Sequence, residues 1–409
     1  MKQSICIIGG GTTGWWCAGY MEKFLPDAEI TLIESDTIPT IGVGESTLPQ
    51  VKVFFDAIGM DESVWMPGCN AIHKYGNIKT NWDKPGGDPY TFTFWFNDNN
   101  VFSNWYKEYK AGNKTKNQIN DDLYHKGTWS SIAYHLDAEK AGQIVKDHCK
   151  KVIHKVETLD QLPEGYDLYV DCTGFARRFV KDKSEITYDH HLVDRAWVCP
   201  FEHSSEIEPY TKSIAREHGW QFVIDLTNRT GTGYVYSSKH ISDDEALKKF
   251  NEYNAHRTPF MNKEPRLLKW RPNILANPWK DNVVAIGLAN GFIDPLEANA
   301  LFMTQYSITL LVECIKRNNK PEVYNRSMRK LWRENSDYIL HHYMLSKRTD
   351  TDFWKYYSTF DVRKTLWDNY KKRGNKYTNL SPDAIWAMLG LYYDEFDYYE
   401  DKESARSLK

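Results

Sequence analysis

Ile5-Cys6-Ile7-Ile8, running into Gly9-Gly10-Gly11-Thr12-Thr13-Gly14, decides the fold of this 409-residue chain. The apolar run reads as a buried strand. The glycines read as a tight turn, and Trp15 to about Leu25 as the helix it opens. A second apolar run, Ile30 to Ile33, closes on Glu34, twenty residues after Gly14. Strand, glycine turn, helix, strand and acid in this order begin a Rossmann-like unit. Gly9, Gly11, Thr12, Thr13 and Gly14 are therefore expected to bring backbone N–H groups to a pyrophosphate at the helix N-terminus. Glu34 is expected to accept hydrogen bonds from ribose hydroxyls.

Further out, a second glycine turn spans Gly42-Val43-Gly44-Glu45-Ser46-Thr47, and Leu48 to Ile58 reads as a helix. From Trp82 to about Tyr124 the periodicity is lost, as in long loops that could cover a site. Strands are expected again at Val152 to Leu159 and Tyr166 to Val170, the latter ending in Asp171-Cys172-Thr173-Gly174. Trp197–Phe201, Trp220–Leu226 and Thr232–Ser237 read as strands of a second sheet. Val283 to Ile286 leads back to a turn at Gly287-Leu288. After Pro295 the pattern is helical, through Leu301–Ile315, Tyr324–Tyr343, Val362–Lys371 and Pro382–Leu391.

The returns at Gly174 and at Gly287 and Leu288 favour FAD over NAD. An NAD domain ordinarily keeps its two halves contiguous, whereas FAD proteins of the glutathione-reductase type insert a substrate sheet between them. That argument is analogy at the level of fold. The expected class is α/β, a FAD-binding Rossmann-like domain with an inserted β-sheet substrate domain and a helical C-terminal part. The FAD-binding part should take 1–82, 135–175 and 280–300. The substrate sheet and insertions should take 83–134 and 176–279, and the helical region 301–409.

Composition narrows the function. A net charge of −3 gives no electrostatic case for nucleic acid or an anionic membrane. No apolar run reaches transmembrane length, and Lys2-Gln3-Ser4 lead straight into a strand without a signal-peptide pattern. Seven scattered cysteines, none in a CxxC, argue against a disulfide framework and a zinc site, so no metal is expected. A cytoplasmic location fits. Aromatic residues make up 14% of the chain, mainly as core, with a minority available to line a pocket for a flat substrate.

Two distant segments then matter together: Cys69-Asn70-Ala71-Ile72-His73-Lys74, running on to Trp82, and Asp294-Pro295-Leu296-Glu297. Alone, Lys74 would be a solvated lysine, with Lys79 near it, and Glu297 a helix N-terminal acid. With GGGTTGWW, IPTIGVGEST, YHLDAEKAG, DLYVDCTGF, GTGYVYSS and KRTDTDFW in order, the chain resembles the flavin-dependent tryptophan and pyrrole halogenases. The resemblance covers most of the sequence. It implies a FADH2- and O2-dependent enzyme that oxidises halide to hypohalous acid, which passes through the interior to Lys74 beside an electron-rich aromatic. Lys74 would polarise the acid or form a haloamine, and Glu297 would orient the electrophile and take the ring proton. The resemblance makes Gly42–Thr47 a flavin strap, with Gly44, Glu45 and Ser46 at the cofactor and Val156 at its adenine end. A separate flavin reductase would supply FADH2.

The chain departs from the family in three places. Ser-Thr-Gly after the catalytic glutamate is replaced by Ala298-Asn299-Ala300. The halide site at Asn299 and Ala300 is thus altered, and bromide or iodide is expected over chloride. Trp-x-Trp-x-Ile-Pro becomes Trp220-Gln221-Phe222-Val223-Ile224-Asp225. A bulky aromatic remains at Phe222, so conversion to a hydroxylase is not expected. Tyr370 to Gly374 leads almost directly to Pro382, so the C-terminal clamp on free tryptophan is expected to be missing and the site more open. The alternatives are a FAD-dependent aromatic monooxygenase, which needs neither halide nor the Lys74–Glu297 pair, and a non-catalytic flavin-binding redox sensor.

Overall fold

In the Ser4–Ile8 strand both faces are covered, so its apolar residues run without alternation, as parallel central strands require. It sits between Glu29–Glu34 and Leu168–Asp171, with Ile5 opposite Ile30 on one side and Leu168 on the other. The computed structural model describes residues 3–38, 45–87, 89–93, 111–113, 132–203, 207–344 and 346–359. Among these, six strands form the sheet, in the order Trp279–Lys280, Val283–Ala285, Leu168–Asp171, Ser4–Ile8, Glu29–Glu34, Ile153–Val156. Trp279–Lys280 alone runs antiparallel. Strand order therefore brings the glycine turn, Asp171–Gly174 and Gly287 to one edge of the crevice. This is the expected FAD-binding Rossmann-like architecture within an α/β chain.

The helix begins at Thr12, three residues before the position read from sequence, and runs to Phe24. It packs on a helix not read from the sequence, Ala138–His148, capped by the Asp137 side chain. Trp16 donates its Nε1–H to the Ala141 carbonyl (3.1 Å). The two helices approach closely at Gly19, where a Cβ would stand 2.6 Å from Val145 Cγ1.

The second sheet has seven strands among the described residues: Arg266–Lys269, Arg195–Phe201, Thr230–Tyr236, Gly219–Asp225, Tyr210–Arg216, Gly76–Thr80 and Tyr90–Thr93. Gly76–Thr80, inside the stretch expected in the FAD-binding part, pairs in parallel with Tyr210–Arg216 in this sheet. A three-stranded sheet joins the two layers, with Ala133–Leu136 between Glu45–Ser46 and Ile72–Lys74.

Helices Asn299–Lys316, Pro321–Met344 and Asp352–Ser358 follow. Gly42–Gly44, most of 82–124, the helices expected at Val362–Lys371 and Pro382–Leu391, and the region of the tryptophan clamp lie outside the described residues. The buried tryptophans fall in two of the cores. One holds Trp16 and Trp65 around the parallel sheet, and the other holds Trp82, Trp220, Tyr343 and Trp354. No helix among the described residues is long and apolar enough to cross a membrane.

Candidate active site

The crevice encloses about 480 Å³ and is walled by Gly9–Thr13, Glu34, Glu45, Cys172–Ala176, Gly287, Leu288 and Ala300. Its floor is backbone. Gly9 has φ +114°, and a Cβ there would lie 2.5 Å from the Cys172 carbonyl. A Cβ on Gly14 would lie 1.8 Å from the Gly9 carbonyl, so Gly14 shapes the turn from behind. Gly174 and Gly287 have φ +65° and +67°, backbone that favours glycine. A cradle in which side chains do not fit, opening at a helix N-terminus, suits a pyrophosphate. These residues fit FAD.

Glu34 lies in this wall already engaged. Its Oε1 accepts from Lys146 Nζ (2.8 Å) and His154 Nε2 (2.6 Å), and Oε2 accepts from Trp15 Nε1 (3.4 Å). Burial pushes its pKa up, but the Lys146, His154 and Trp15 contacts leave it below the usual value. A carboxylate has about four lone-pair sites, so one remains for a ribose hydroxyl. Val156 sits on the exposed edge strand, and the neighbouring Glu157, Thr158 and Leu159 line that end of the cavity. Of the strap residues, Gly44 lies outside the described residues, Glu45 lines the cavity, and Ser46 faces inward with its Oγ 2.7 Å from Thr211 Oγ1. Burial, then the charge of Asp137, raises the Glu45 carboxyl to about 7.

Behind the cradle is a second, charged region. Lys74 is fully buried, and its Nζ donates to the Thr47 carbonyl (3.1 Å) at the end of the strap. Burial pushes its ammonium down to about 7; Glu297 pulls upward and Lys79 pushes further down. Glu297 is 7% exposed, a buried carboxylate rather than a solvated one. It occupies a turn with φ 67°, just ahead of the Asn299–Lys316 helix. Asp294 fixes that turn: its Oδ1 accepts from Leu296 N (2.9 Å), and its Oδ2 accepts from the Tyr343 hydroxyl (2.7 Å).

Four residues the sequence reading did not assign complete the cluster. Lys79 Nζ forms a direct ion pair with Glu297 Oε1. Asn77 Nδ2 donates to Oε2 (3.1 Å), and His342 Nε2 lies 3.6 Å from Oε1. The Tyr338 hydroxyl also hydrogen-bonds Glu297. Burial alone would raise the Glu297 carboxyl, but Lys79 leads a set of contacts that holds it near 2. Burial, then Lys79, lowers His342 to about 3, so at neutral pH it is uncharged and the cation on Glu297 is Lys79. A signal for Lys79 existed: Asn77 and Lys79 are two apart, hence on one face of a strand. It was hidden because the strand joins the other sheet.

The start of the Asn299–Lys316 helix carries the expected halide residues. Glu297 and Ala298 both have positive φ (67° and 58°), and Asn299 returns to φ −81°. A left-handed residue followed by a right-handed one turns successive N–H groups into one concavity, a nest for an anion. Ala298 N–H is spent on the Pro295 carbonyl (3.3 Å), which leaves Asn299 and Ala300 N–H at the helix end. Asn299 is 7% exposed, and its Nδ2 has no hydrogen-bond partner among the described residues. Backbone strain thus falls on Glu297 and Ala298, whereas Ala300 is helical. Ala300 also lines the cradle cavity, so the charged region and the cofactor crevice meet at this helix end.

The sequence matches the tryptophan halogenase profile over residues 4–158 and 137–386. It is 30% identical over 416 residues to tryptophan 7-halogenase RebH of Lentzea aerocolonigenes, an alignment spanning 86% of this chain and 78% of that protein. Among solved structures, BrvH, a flavin-dependent halogenase from Brevundimonas, is 26% identical with a TM-score of 0.80, covering 99% of this chain and 94% of that one. A tryptophan halogenase from Shewanella frigidimarina is 25% identical with a TM-score of 0.81, covering 99% and 92%.

Proposed function

The chain belongs to the tryptophan halogenase family, and from that premise we propose that its buried Lys74 carries the halogen to an electron-rich aromatic ring. The enzyme is a FADH2-dependent halogenase acting on aromatic substrates. FADH2, when bound in the glycine cradle, supplies with O2 the two-electron oxidation that turns halide into hypohalous acid. A separate flavin reductase delivers it.

The observation that carries the reading is the convergence of Lys74 and Glu297, more than two hundred residues apart, in one buried cluster behind the cradle. At neutral pH a lysine titrating near 7 is about half amine. That amine attacks the halogen of hypohalous acid: an N–X bond forms, the O–X bond breaks, and hydroxide leaves with an amine proton as water. The ring then takes the halogen while the N–X pair returns to nitrogen, which recovers the amine by taking up one proton for the one the ring releases to Glu297. Glu297, held as a carboxylate, orients the electrophile and accepts the ring proton. An acceptor near 2 suffices, because a ring that has lost aromaticity is a far stronger acid.

Halide would sit at the start of the Asn299–Lys316 helix, on the N–H groups of Asn299 and Ala300, with Asn299 Nδ2 as a third donor. Without the hydroxyls of Ser-Thr, the site repays halide desolvation poorly. Chloride, the most strongly hydrated of the three and the hardest to oxidise, loses most. Bromide or iodide is the preferred substrate. The test is a competition of chloride, bromide and iodide at equal concentration with FAD, a reductase and a panel of indoles and phenols, read by product mass. Bromination or iodination should dominate. Predominant chlorination refutes the halide assignment, and oxygenated product made without halide refutes the whole reading.

A further inference from the structure

Glu297 has two lysines around it, both fully buried. They come from different sheets. Lys74 ends the Ile72–Lys74 strand of the small sheet, and Lys79 lies in Gly76–Thr80 of the seven-stranded sheet. Lys79 makes the ion pair with Oε1 while Asn77, on the same strand face, takes Oε2. The Asn77-x-Lys79 pair therefore grips both carboxylate oxygens at once. The Lys79 ammonium also lies 5.0 Å from the centroid of Trp82, whose ring face stabilises a cation. The other titratable groups facing this pair are Asp294 on the preceding turn, Tyr338 and His342 on the Pro321–Met344 helix, and His135 on the Ala133–Leu136 strand beside Lys74.

Resting on the reading of Lys74 and Glu297 given above, we propose that Lys79 is a positioning residue for halogenation: it binds the Glu297 carboxylate and so keeps Lys74 in the amine form that the halogen needs. A buried carboxylate is strongly destabilising unless a cation compensates it. If Lys79 did not supply that cation, Lys74 would, and an ammonium has no lone pair to attack hypohalous acid. The two lysines thus divide the work. One holds charge, and the other holds a lone pair. Lys79 acts twice on Lys74, by cancelling the attraction of Glu297 and by its own repulsion, and both effects favour the amine.

The test follows Lys74 itself. Protein carrying 13Cε-lysine is titrated by NMR, with the Lys74 signal assigned by its absence from Lys74→Ala. Wild type should titrate near pH 7. Lys79→Gln should raise that midpoint by about one unit or more, the usual effect of a released opposite charge. It should shift the acid limb of the halogenation profile equally. Lys79→Arg, which keeps the charge, should restore both. Glu297→Gln should lower the midpoint, and adding Lys79→Gln to it should bring the midpoint back up towards wild type. A Lys79→Gln midpoint equal to wild type overturns the proposal. If that single variant leaves Glu297 uncompensated and does not fold, a double variant titrating like Glu297→Gln overturns it instead. The titration does not depend on whether Lys74 carries halogen. Product from Lys74→Ala would sink the functional reading and leave the titration to judge Lys79 alone.

Discussion

The cradle and the charged cluster meet at Ala300 yet are built on opposite principles. The cradle is backbone from three returns of one parallel sheet, and its side chains matter by being absent at Gly9 and Gly14. The cluster is side chains from two sheets, a turn and a helix, and its backbone matters only where Glu297 and Ala298 take positive φ. The first binds by shape and helix-end N–H groups. The second works by burying charges that must compensate one another. It follows that the cradle should fail through added atoms and the cluster through removed charges, and that the two should fail separately.

The largest separation is expected from Glu297→Gln. The shape survives and the base is lost, so halogenation should fall by about two to four orders of magnitude. FADH2 oxidation should continue. Product within a few-fold of wild type would mean that Glu297 merely compensates Lys79.

In the cradle the corresponding change is Gly9→Ala. A Cβ at φ +114° and 2.5 Å from the Cys172 carbonyl strains the backbone where the pyrophosphate must approach. Weakened FAD binding of about tenfold or more in Kd is expected by fluorescence titration. Halogenation per bound flavin should be unchanged. Unaltered affinity would show that the turn adapts.

Acid should also divide the regions, more gently. Below about pH 7 Lys74 becomes ammonium, so halogenation should fall as pH drops, approaching tenfold per unit. Above it the rate should level off. The sign follows from burial, which disfavours the charged form of a lysine and lowers its pKa. FADH2 oxidation measured in parallel should not share this limb, and a common limb would place the titrating group in the cradle.

The same contrast governs what could be read in the sequence. Gly9 to Gly14 follows an apolar run and precedes a helix, so local spacing was enough, and the strands at Ile5, Ile30, Trp197, Trp220 and Thr232 came within a few residues of those observed. The Ala138–His148 helix was missed although Asp137 is a good cap, because its apolar face is mostly Ala and Gly. Lys74 and Glu297 were legible only by resemblance. Periodicity does not report that two segments more than two hundred residues apart converge. Lys79 was passed over as an ordinary lysine, since one connecting residue, Tyr75, and a change of sheet separate its strand from the three-residue strand that ends in Lys74. The strain at Ala298 could not be seen either, because alanine gives no sign of a left-handed backbone.

One measurement reaches the central claim, that oxidation of the cofactor and delivery of the halogen occur in separate regions. Lys74→Ala is mixed with FADH2, O2, bromide and an indole, and FADH2 oxidation and brominated product are recorded in the same reaction. Oxidation at the wild-type rate with no enzyme-dependent brominated product is the predicted result. Substantial brominated product from the variant, or loss of flavin oxidation along with it, would contradict the account.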